Sequence, residues 1–436
     1  MIGARALLAA VLMIALAGAN GQAAVQRYPS TTLLDNVPAQ IDSDAALAGV
    51  QIFLPAGLDR QSGMQNGYAA LLGEIVAQTP VQSDGAQTTL RDAVAALGAN
   101  LTVSVQPQNI RYYVEGPPPA VTQALGLLGA ALASPDFSRD TLAKAKAALR
   151  LRIREANQSP FGVVSNMLRN AYYQGSGAGF SPMGSEAVVV NASTDSLRRF
   201  WSDNYRSGAA YLSAAGRIDE NVVRAAHAAV SMLPQGAPAP VVLKPHNPTD
   251  PPARIITHRD VGVPWIGIGY SAPAVGSKDF ATMLVVQAIF ASLGRTDAIV
   301  SRPAALRPIN AIYQYDVQPA NFIIYSTGNS LGSPTGLREI FAATELMTSK
   351  PLDTAVLERY RGLATAQFML DNMTLEDRSA LVGLAARLGL DSNYTNAVLS
   401  EISAVTPADV QRVVKTYLQN YTVAIVLPRA TQQEER

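Results

Sequence analysis

Two halves of similar pattern, joined by a proline-rich segment, constrain the fold of this 436-residue chain more than any other feature. Prolines are so dense in residues 234–253 that the segment can neither continue a helix nor pair within a central sheet, and it is predicted to be an extended linker. Near the end of each half an amphipathic helix leads into a strand, and aligning Arg198 with Arg412 gives an offset of about 214 residues. So long a period indicates a duplicated domain rather than a solenoid repeat.

The two halves also begin alike. Apolar, strand-like segments at 50–54 and 265–270 are each followed by a Gly-containing loop and a long apolar helix, at 65–78 and 279–293. Strands and helices in mixed order, with hairpin-like connections, predict an α+β fold with two homologous domains, each a mostly antiparallel β-sheet covered by helices. Within the first half, alternating segments predict strands at 101–106 and 110–115, and helical patterns lie at 118–133 and 139–156.

The N-terminus is typical of an exported protein. Arg5 precedes an apolar run at 6–17, and small residues follow at a plausible cleavage site, so residues 1–24 are predicted to be a signal peptide. The run is shorter than the ~20 residues that span a bilayer, although an uncleaved anchor is an alternative. We therefore expect a periplasmic or secreted protein with no membrane contact after cleavage. The predicted domains are residues 25–233 and 254–436, with the linker at 234–253 between them.

The composition excludes several kinds of chemistry. The chain has 34 basic and 33 acidic residues, a formal charge of +1, so it has no global field for a nucleic acid partner. Cysteine is absent, which excludes disulfides, thiolate nucleophiles and Cys-type zinc sites.

An ordered series of short segments then indicates a family. In the first half it consists of Asn66–Ile75, Leu97–Leu101, Tyr172–Tyr173, Gly184–Glu186 and Phe200–Tyr205. This ordered series resembles the pitrilysin/insulinase metallopeptidases, including mitochondrial processing peptidases and small bacterial two-domain members. The resemblance covers about residues 30–430.

The resemblance implies that zinc is bound in that family by an inverted His-x-x-Glu-His motif on the first long helix. Two histidines at i and i+4 face one side of a helix, and the glutamate acts as general base on zinc-bound water. In this chain Ala70 stands at the first histidine, Gly73 at the glutamate and Glu74 at the second histidine. The third-ligand position falls near Arg150–Arg152, where the family pattern has acidic residues.

No other residues in the sequence complete a metal site. Glu155 is the nearest carboxylate to the third-ligand position, and the three histidines, His227, His246 and His258, lie far from the motif in sequence. A catalytic zinc needs about three protein ligands and an open position. We therefore expect no cofactor in this chain and place the zinc in a partner subunit.

The resemblance also implies a substrate-binding pair in the second half. There the family presents an Arg and a Tyr to the substrate backbone, and the matching residues are Arg307 and Tyr313. A guanidinium and a phenol can donate hydrogen bonds to peptide carbonyl oxygens. The spacing is one residue short of the family pattern, Pro308 and Asn310 depart from it, and Arg302 is a rival for the Arg role. A surface arginine and a core tyrosine are the structural alternative.

Three functional hypotheses follow. The leading one is a non-catalytic subunit of a heterodimeric zinc metallopeptidase, which binds peptide substrates for a homologous zinc-bearing subunit. The second is a pseudopeptidase that acts only as a peptide-binding or assembly scaffold. The third is an active enzyme with unorthodox ligands around Glu74 and Glu155.

Overall fold

The chain forms two sheets of matching topology. The computed structural model describes residues 28–83, 85–173, 176–241, 253–293, 309–315, 320–327 and 334–429. Within these ranges no helix is both long enough and apolar enough to cross a membrane.

The first sheet has six strands in the order β1-β2-β8-β3-β7-β6. All neighbours are antiparallel except β2 and β8, which run parallel. A separate hairpin is formed by β4 and β5. The strands are β1 (Thr31–Leu34), β2 (Val37–Ile41), β3 (Ala48–Leu54), β4 (Pro80–Ser83), β5 (Ala86–Thr89), β6 (Asn100–Val105), β7 (Ile110–Gly116) and β8 (Tyr211–Gly216).

The second sheet has five strands in the order β11-β12-β10-β13-β9, again with one parallel pair, β13 and β9. In the reverse direction, the first sheet without β1 has the order β6-β7-β3-β8-β2, which also ends in its parallel pair. The two sheets therefore match strand for strand. The predicted fold, with two homologous and mostly antiparallel domains, is therefore confirmed. The strands are β9 (Ala253–Arg259), β10 (Trp265–Ser271), β11 (Asn310–Gln314), β12 (Asn321–Thr327) and β13 (Tyr421–Pro428).

The helices match most of the predicted segments. The helix predicted at 118–133 spans those residues, whereas the one predicted at 65–78 begins later, after a 3-10 turn at Gly63–Gln65. In the first half the helices are α1 (Tyr68–Gln78), α2 (Leu90–Ala96), α3 (Pro118–Ala133), α4 (Arg139–Gln158), α5 (Pro160–Tyr172), α6 (Glu186–Asn191), α7 (Thr194–Asn204) and α8 (Glu220–Ser231). In the second half they are α9 (Phe280–Ala291), α10 (Pro334–Ser349), α11 (Thr354–Asp371), α12 (Leu375–Arg387), α13 (Tyr394–Ala404) and α14 (Pro407–Tyr417).

Side-chain caps fix where several of these helices start. The Ser138 hydroxyl accepts a hydrogen bond from the Thr141 N–H at the start of α4. The repeated helices α7 and α14 both begin with a capping box, but in α7 the cap is Ser193, one residue before the threonine that opens the helix.

Each domain covers its sheet with its own helices on one face and receives one helix from the other domain on the opposite face. Helix α5 of the first half packs on β10 and β13, and helix α12 of the second half packs on β2, β3 and β8. This exchange joins the two domains into one body.

Candidate functional site

The degenerate motif lies on α1, which is buried along almost its entire length. Its N-terminus is held by two glycines: Gly67 has a φ of 118°, which favours glycine, and Gly184 packs so closely on it that an added Cβ would overlap the Gly67 Cα. The backbone N–H of Ser185 donates to the Asn66 carbonyl at 3.1 Å and fixes the loop in place.

Glu74, at the position of the second histidine, is held by two arginines. Its carboxylate is only 3% exposed, and Oε2 lies 3.2 Å from Nη2 of Arg91 at the start of α2. Oε1 makes a short contact with Nη1 of Arg152 on α4. A buried carboxylate needs compensating charge and hydrogen bonds, and these two guanidinium groups supply both.

Arg152 comes from the stretch of α4 where the family motif would place its third metal ligand. Two of the three metal-binding positions are thus joined here by an ion pair. A bound cation would have to displace two guanidinium groups from Glu74 and would meet their positive charge. The residues present therefore do not fit a zinc ion.

At the position of the general base, neighbouring side chains fill the space that a glutamate side chain would need. An added Cβ on Gly73 would lie 2.8 Å from Val103 Cγ1 and 3.2 Å from Ile110 Cδ1, so the side chains of β6 and β7 fill the space beside α1. Ala70 presents only a buried methyl group at the first ligand position. Neither position retains a group that could activate water.

A second ion-pair group extends along α4. Arg150 Nε and Arg154 Nη2 lie 3.0 Å and 2.9 Å from the same oxygen of Glu186. Hydrogen bonds from these two arginines, Arg154 first, lower the pKa of the Glu186 carboxyl. We call Arg91, Arg150, Arg152 and Arg154, with Glu74 and Glu186, the arginine cluster.

The other proposed ligands lie apart from α1. Glu155 is exposed on α4. His227 is half exposed and contacts the Asp35 carbonyl at 2.7 Å, and His258 is exposed on β9, whereas His246 lies outside the described residues. In the part of the chain that the structure describes, no three His, Asp or Glu side chains come close enough to hold a metal ion. The geometry does not favour the hypothesis of a metal at Glu74 and Glu155.

Tyr313 lies on β11 and is 4% exposed. Its hydroxyl donates a hydrogen bond to the Pro273 carbonyl, and burial raises the pKa of the phenol far above its ordinary value. Arg307 and its rival Arg302 lie outside the described residues. The substrate-binding role of the pair stays a prediction.

Tyr313 also lines a cavity of about 550 Å³ that is formed by the second half of the chain, with Arg111 of β7 added from the first half. Gln287 of α9 lies in its wall: it is 7% exposed, its Nε2 donates to the Ala311 carbonyl at 3.3 Å, and its Oε1 is buried without a hydrogen-bond partner in the described chain. Helix α9 is the second domain's counterpart of α1, so the cavity lies beside the helix that corresponds to the one with the degenerate motif. Gln287 and Tyr315 were not identified from the sequence, because neither residue belongs to a motif.

Comparisons with known proteins place the chain in a family. Residues 39–185 match the model described as insulinase (peptidase family M16), and residues 191–361 match the model described as the peptidase M16 inactive domain. The two models follow one another along the chain and cover most of it. The chain belongs to the insulinase family, peptidase family M16, which confirms the resemblance.

Two curated relatives are mitochondrial. The chain is 25% identical over 332 residues to a probable mitochondrial-processing peptidase subunit beta of Schizosaccharomyces pombe, covering 74% of this chain and 70% of the relative. It is 23% identical over 418 residues to cytochrome b-c1 complex subunit 1 of Homo sapiens, covering 90% of this chain and 79% of the relative.

Solved structures share the fold at low sequence identity. A protease from Helicobacter pylori superposes with a TM-score of 0.77 at 17% identity, over 92% of this chain and all of that one. A peptidase M16 inactive domain from Pseudomonas fluorescens gives 0.76 at 13% identity, over 94% and 99% of the two chains. With the motif positions described above, these findings support an M16 member without the catalytic motif.

Proposed function

We propose that this chain is a non-catalytic subunit of a two-chain zinc metallopeptidase and binds peptide for a homologous, zinc-bearing partner. The observation that carries the proposal is the ion pair of Glu74 with Arg91 and Arg152 at the positions where the family binds its metal. A cation site has been replaced by a neutralised carboxylate, while the fold around it is intact. The cofactor of the complex is the zinc ion of the partner, and this chain holds none.

The partner has support from the relatives. The curated relatives are a peptidase subunit and a subunit of the cytochrome b-c1 complex, both named as parts of larger assemblies. In the proposed complex, Arg307 and Tyr313 would donate hydrogen bonds to the peptide backbone held near the partner's zinc. The apolar, signal-like N-terminus supports assembly after export, in the periplasm or outside the cell.

A scaffold role is the second candidate. The Tyr313 hydroxyl is already bonded to the Pro273 carbonyl in its own domain, so it is not directed at a substrate in this conformation. The relative from the cytochrome b-c1 complex favours the same alternative. In that case the chain would hold a complex together without contributing to a peptidase chamber.

The test is co-expression with a zinc-motif homologue from the same genome, followed by co-purification and a peptide cleavage assay. Under the leading proposal the pair forms a complex, and cleavage depends on both chains. The double change Arg307→Ala with Tyr313→Phe then lowers turnover by at least tenfold, because two hydrogen bonds to substrate are lost. Arg199→Ala with Tyr421→Phe removes an exposed guanidinium and a half-buried phenol hydroxyl elsewhere and leaves turnover unchanged.

Each other outcome decides between the candidates. Unchanged turnover in the Arg307/Tyr313 variant would show that the assigned pair is wrong. A stable complex whose cleavage is the same with and without this chain would favour the scaffold. Stoichiometric zinc that survives dialysis of the chain alone would overturn the non-catalytic assignment.

A further inference from the structure

The arginine cluster is positively charged, as a bound metal ion would be. Arg91 and Arg152 share the single charge of Glu74, and Arg150 and Arg154 share that of Glu186. Each group of three therefore carries one net positive charge.

Arg91 and Arg152 have more hydrogen-bond donors than Glu74 uses. Each carries five N–H donors, and in the described chain Arg91 gives one to Glu74 through Nη2 and Arg152 gives one through Nη1. Their side chains are 41% and 40% exposed, so a ligand can approach both arginines from solvent. Glu74 is buried beneath them and holds both in place.

We propose that the cluster is a carboxylate-binding site, in which Arg91 and Arg152 bind the carboxylate of a peptide in place of the lost metal. Planar guanidinium groups match carboxylate geometry, and charge-assisted hydrogen bonds are roughly twice as strong as neutral ones. The site binds but does not activate water, because no general base remains at Gly73. That the ligand is a peptide rests on the proposed function; the affinity for a carboxylate does not.

Glu74 makes the proposal testable in both directions. Because its carboxylate competes for the same donors, Glu74→Gln frees guanidinium groups and adds one positive charge, so affinity for a carboxylate rises. Arg91→Gln and Arg152→Gln each remove one of the binding groups, so affinity falls. A purely structural ion pair would give a loss of stability in all three variants and no opposite changes in binding.

The experiment measures fluorescence anisotropy of an N-terminally labelled hexa-alanine peptide with the purified full chain. Three probes are compared: a free C-terminus, an amidated C-terminus, and an amidated peptide with one internal Asp. The free acid is expected to bind about tenfold more tightly than the amide, the value of one charge-assisted hydrogen bond. Raising salt from 0.1 M to 1 M shortens the Debye length from about 10 Å to about 3 Å and weakens the binding.

Arg224→Gln on α8, an exposed arginine outside the cluster, is the matched control and leaves the affinity unchanged. Thermal unfolding of every variant separates lost binding from lost folding. If the Asp peptide equals the free acid, the site takes side-chain carboxylates; if it equals the amide, the site takes chain ends. Equal binding of free acid and amide, or equal effects of Glu74→Gln and Arg152→Gln, would overturn the proposal. Because the chain is assayed alone, failure to assemble with a zinc-bearing homologue does not affect this result.

Discussion

The two helices exchanged between the domains make contacts that differ in polarity. Helix α5 lays Val163, Val164 and Leu168 on the second sheet, where they meet the apolar side chains of Ile323, Ala424 and Val426. Helix α12 makes several buried hydrogen bonds to the first sheet, beside an apolar contact of Leu375 with Gly49 and Gly216. The amide of Gln51 donates to the Glu376 carbonyl at 2.7 Å and to Ser379 Oγ at 3.0 Å, and the Ser213 hydroxyl donates to the Ser379 carbonyl at 2.7 Å.

The difference indicates a division of roles between the two contacts. Burial of apolar surface is strongly stabilising but non-directional, so the apolar part of the α5 contact would tolerate small shifts. One directional bond lies at the C-terminal end of α5, where the Tyr172 hydroxyl donates to the Ala320 carbonyl at 2.9 Å. Buried hydrogen bonds require particular atoms to meet, so the α12 contact fixes the register of the two domains. We expect changes in the apolar contact to affect stability most, and changes in the polar contact to affect the relative placement of the domains.

The largest effect is expected for Leu168→Ala. This side chain is 3% exposed and packs over Gly269, so its truncation removes buried contacts and leaves a cavity. A loss of about 2–5 kcal/mol in the free energy of unfolding is expected, measured by urea denaturation. Leu151→Ala, at a 59% exposed position of α4, is the control and changes stability by less than about 0.5 kcal/mol. A Leu168 variant as stable as the control would contradict the apolar assignment.

Gly267→Ala should lower the stability of the fold nearly as much, because α5 lies directly against β10 at this residue. A Cβ on Gly267 would overlap Val164 Cγ1, so overpacking of about 1–3 kcal/mol is expected. The double change with Val164→Ala makes room for the added methyl group. Double-mutant-cycle denaturation should then show a favourable coupling between the two sites, and simple additivity would show that they do not meet.

The sequence predicted the domain contents better than the contacts between domains. The helical pattern predicted at 118–133 matches the observed bounds of α3, and Pro118 suits the first turn of that helix. The exchange of α5 and α12 could not be predicted, since an apolar or small-residue face does not specify which of two similar sheets it covers. The matching strand orders, by contrast, follow from the repeat itself.

The candidate site was predicted in part. Ala70, Gly73 and Glu74 are located by the resemblance of residues 67–75 to the family motif, and the arginines at 150 and 152 depart from the family pattern. The pairing of Arg152 with Glu74 was not inferred, because the two are far apart in sequence and meet only where α4 packs on α1. Arg91 joins them through the turn made by β4 and β5, which no periodicity reveals.

In the polar contact, Gln51→Met should have a moderate effect. Gln51 is 1% exposed, and methionine keeps its length while removing both donated hydrogen bonds. A loss of about 1–2 kcal/mol is expected, smaller than for Leu168→Ala, because Ser379 Oγ can still donate to the Glu376 carbonyl at 3.0 Å. Hydrogen exchange should rise in α12 more than in α5, and equal changes in both helices would contradict the separate roles.

An effect no larger than that of Gln51→Met, and one that depends on pH, concerns Asp59, beside the end of α12. Burial raises the pKa of its carboxyl from 3.8 to about 6, while Arg60 and Arg387 of α12 partly oppose the rise. Since the folded chain binds this proton more tightly than the unfolded chain, its stability falls as the pH rises from about 4 through about 6 and then levels off. Asp59→Asn removes the ionisation, so the stability of the variant relative to the parent protein should increase over that pH interval. The gain in stability above pH 7 should be about 1–2 kcal/mol, reduced by the partial exposure of the carboxyl.

Thermal unfolding at pH 4, 6 and 8 measures this gain in stability. The variants at Leu168 and Gly267 serve as controls, because their stability relative to the parent should not vary with pH. A gain that is already complete at pH 4 would show that the change acts through packing rather than through the charge of Asp59.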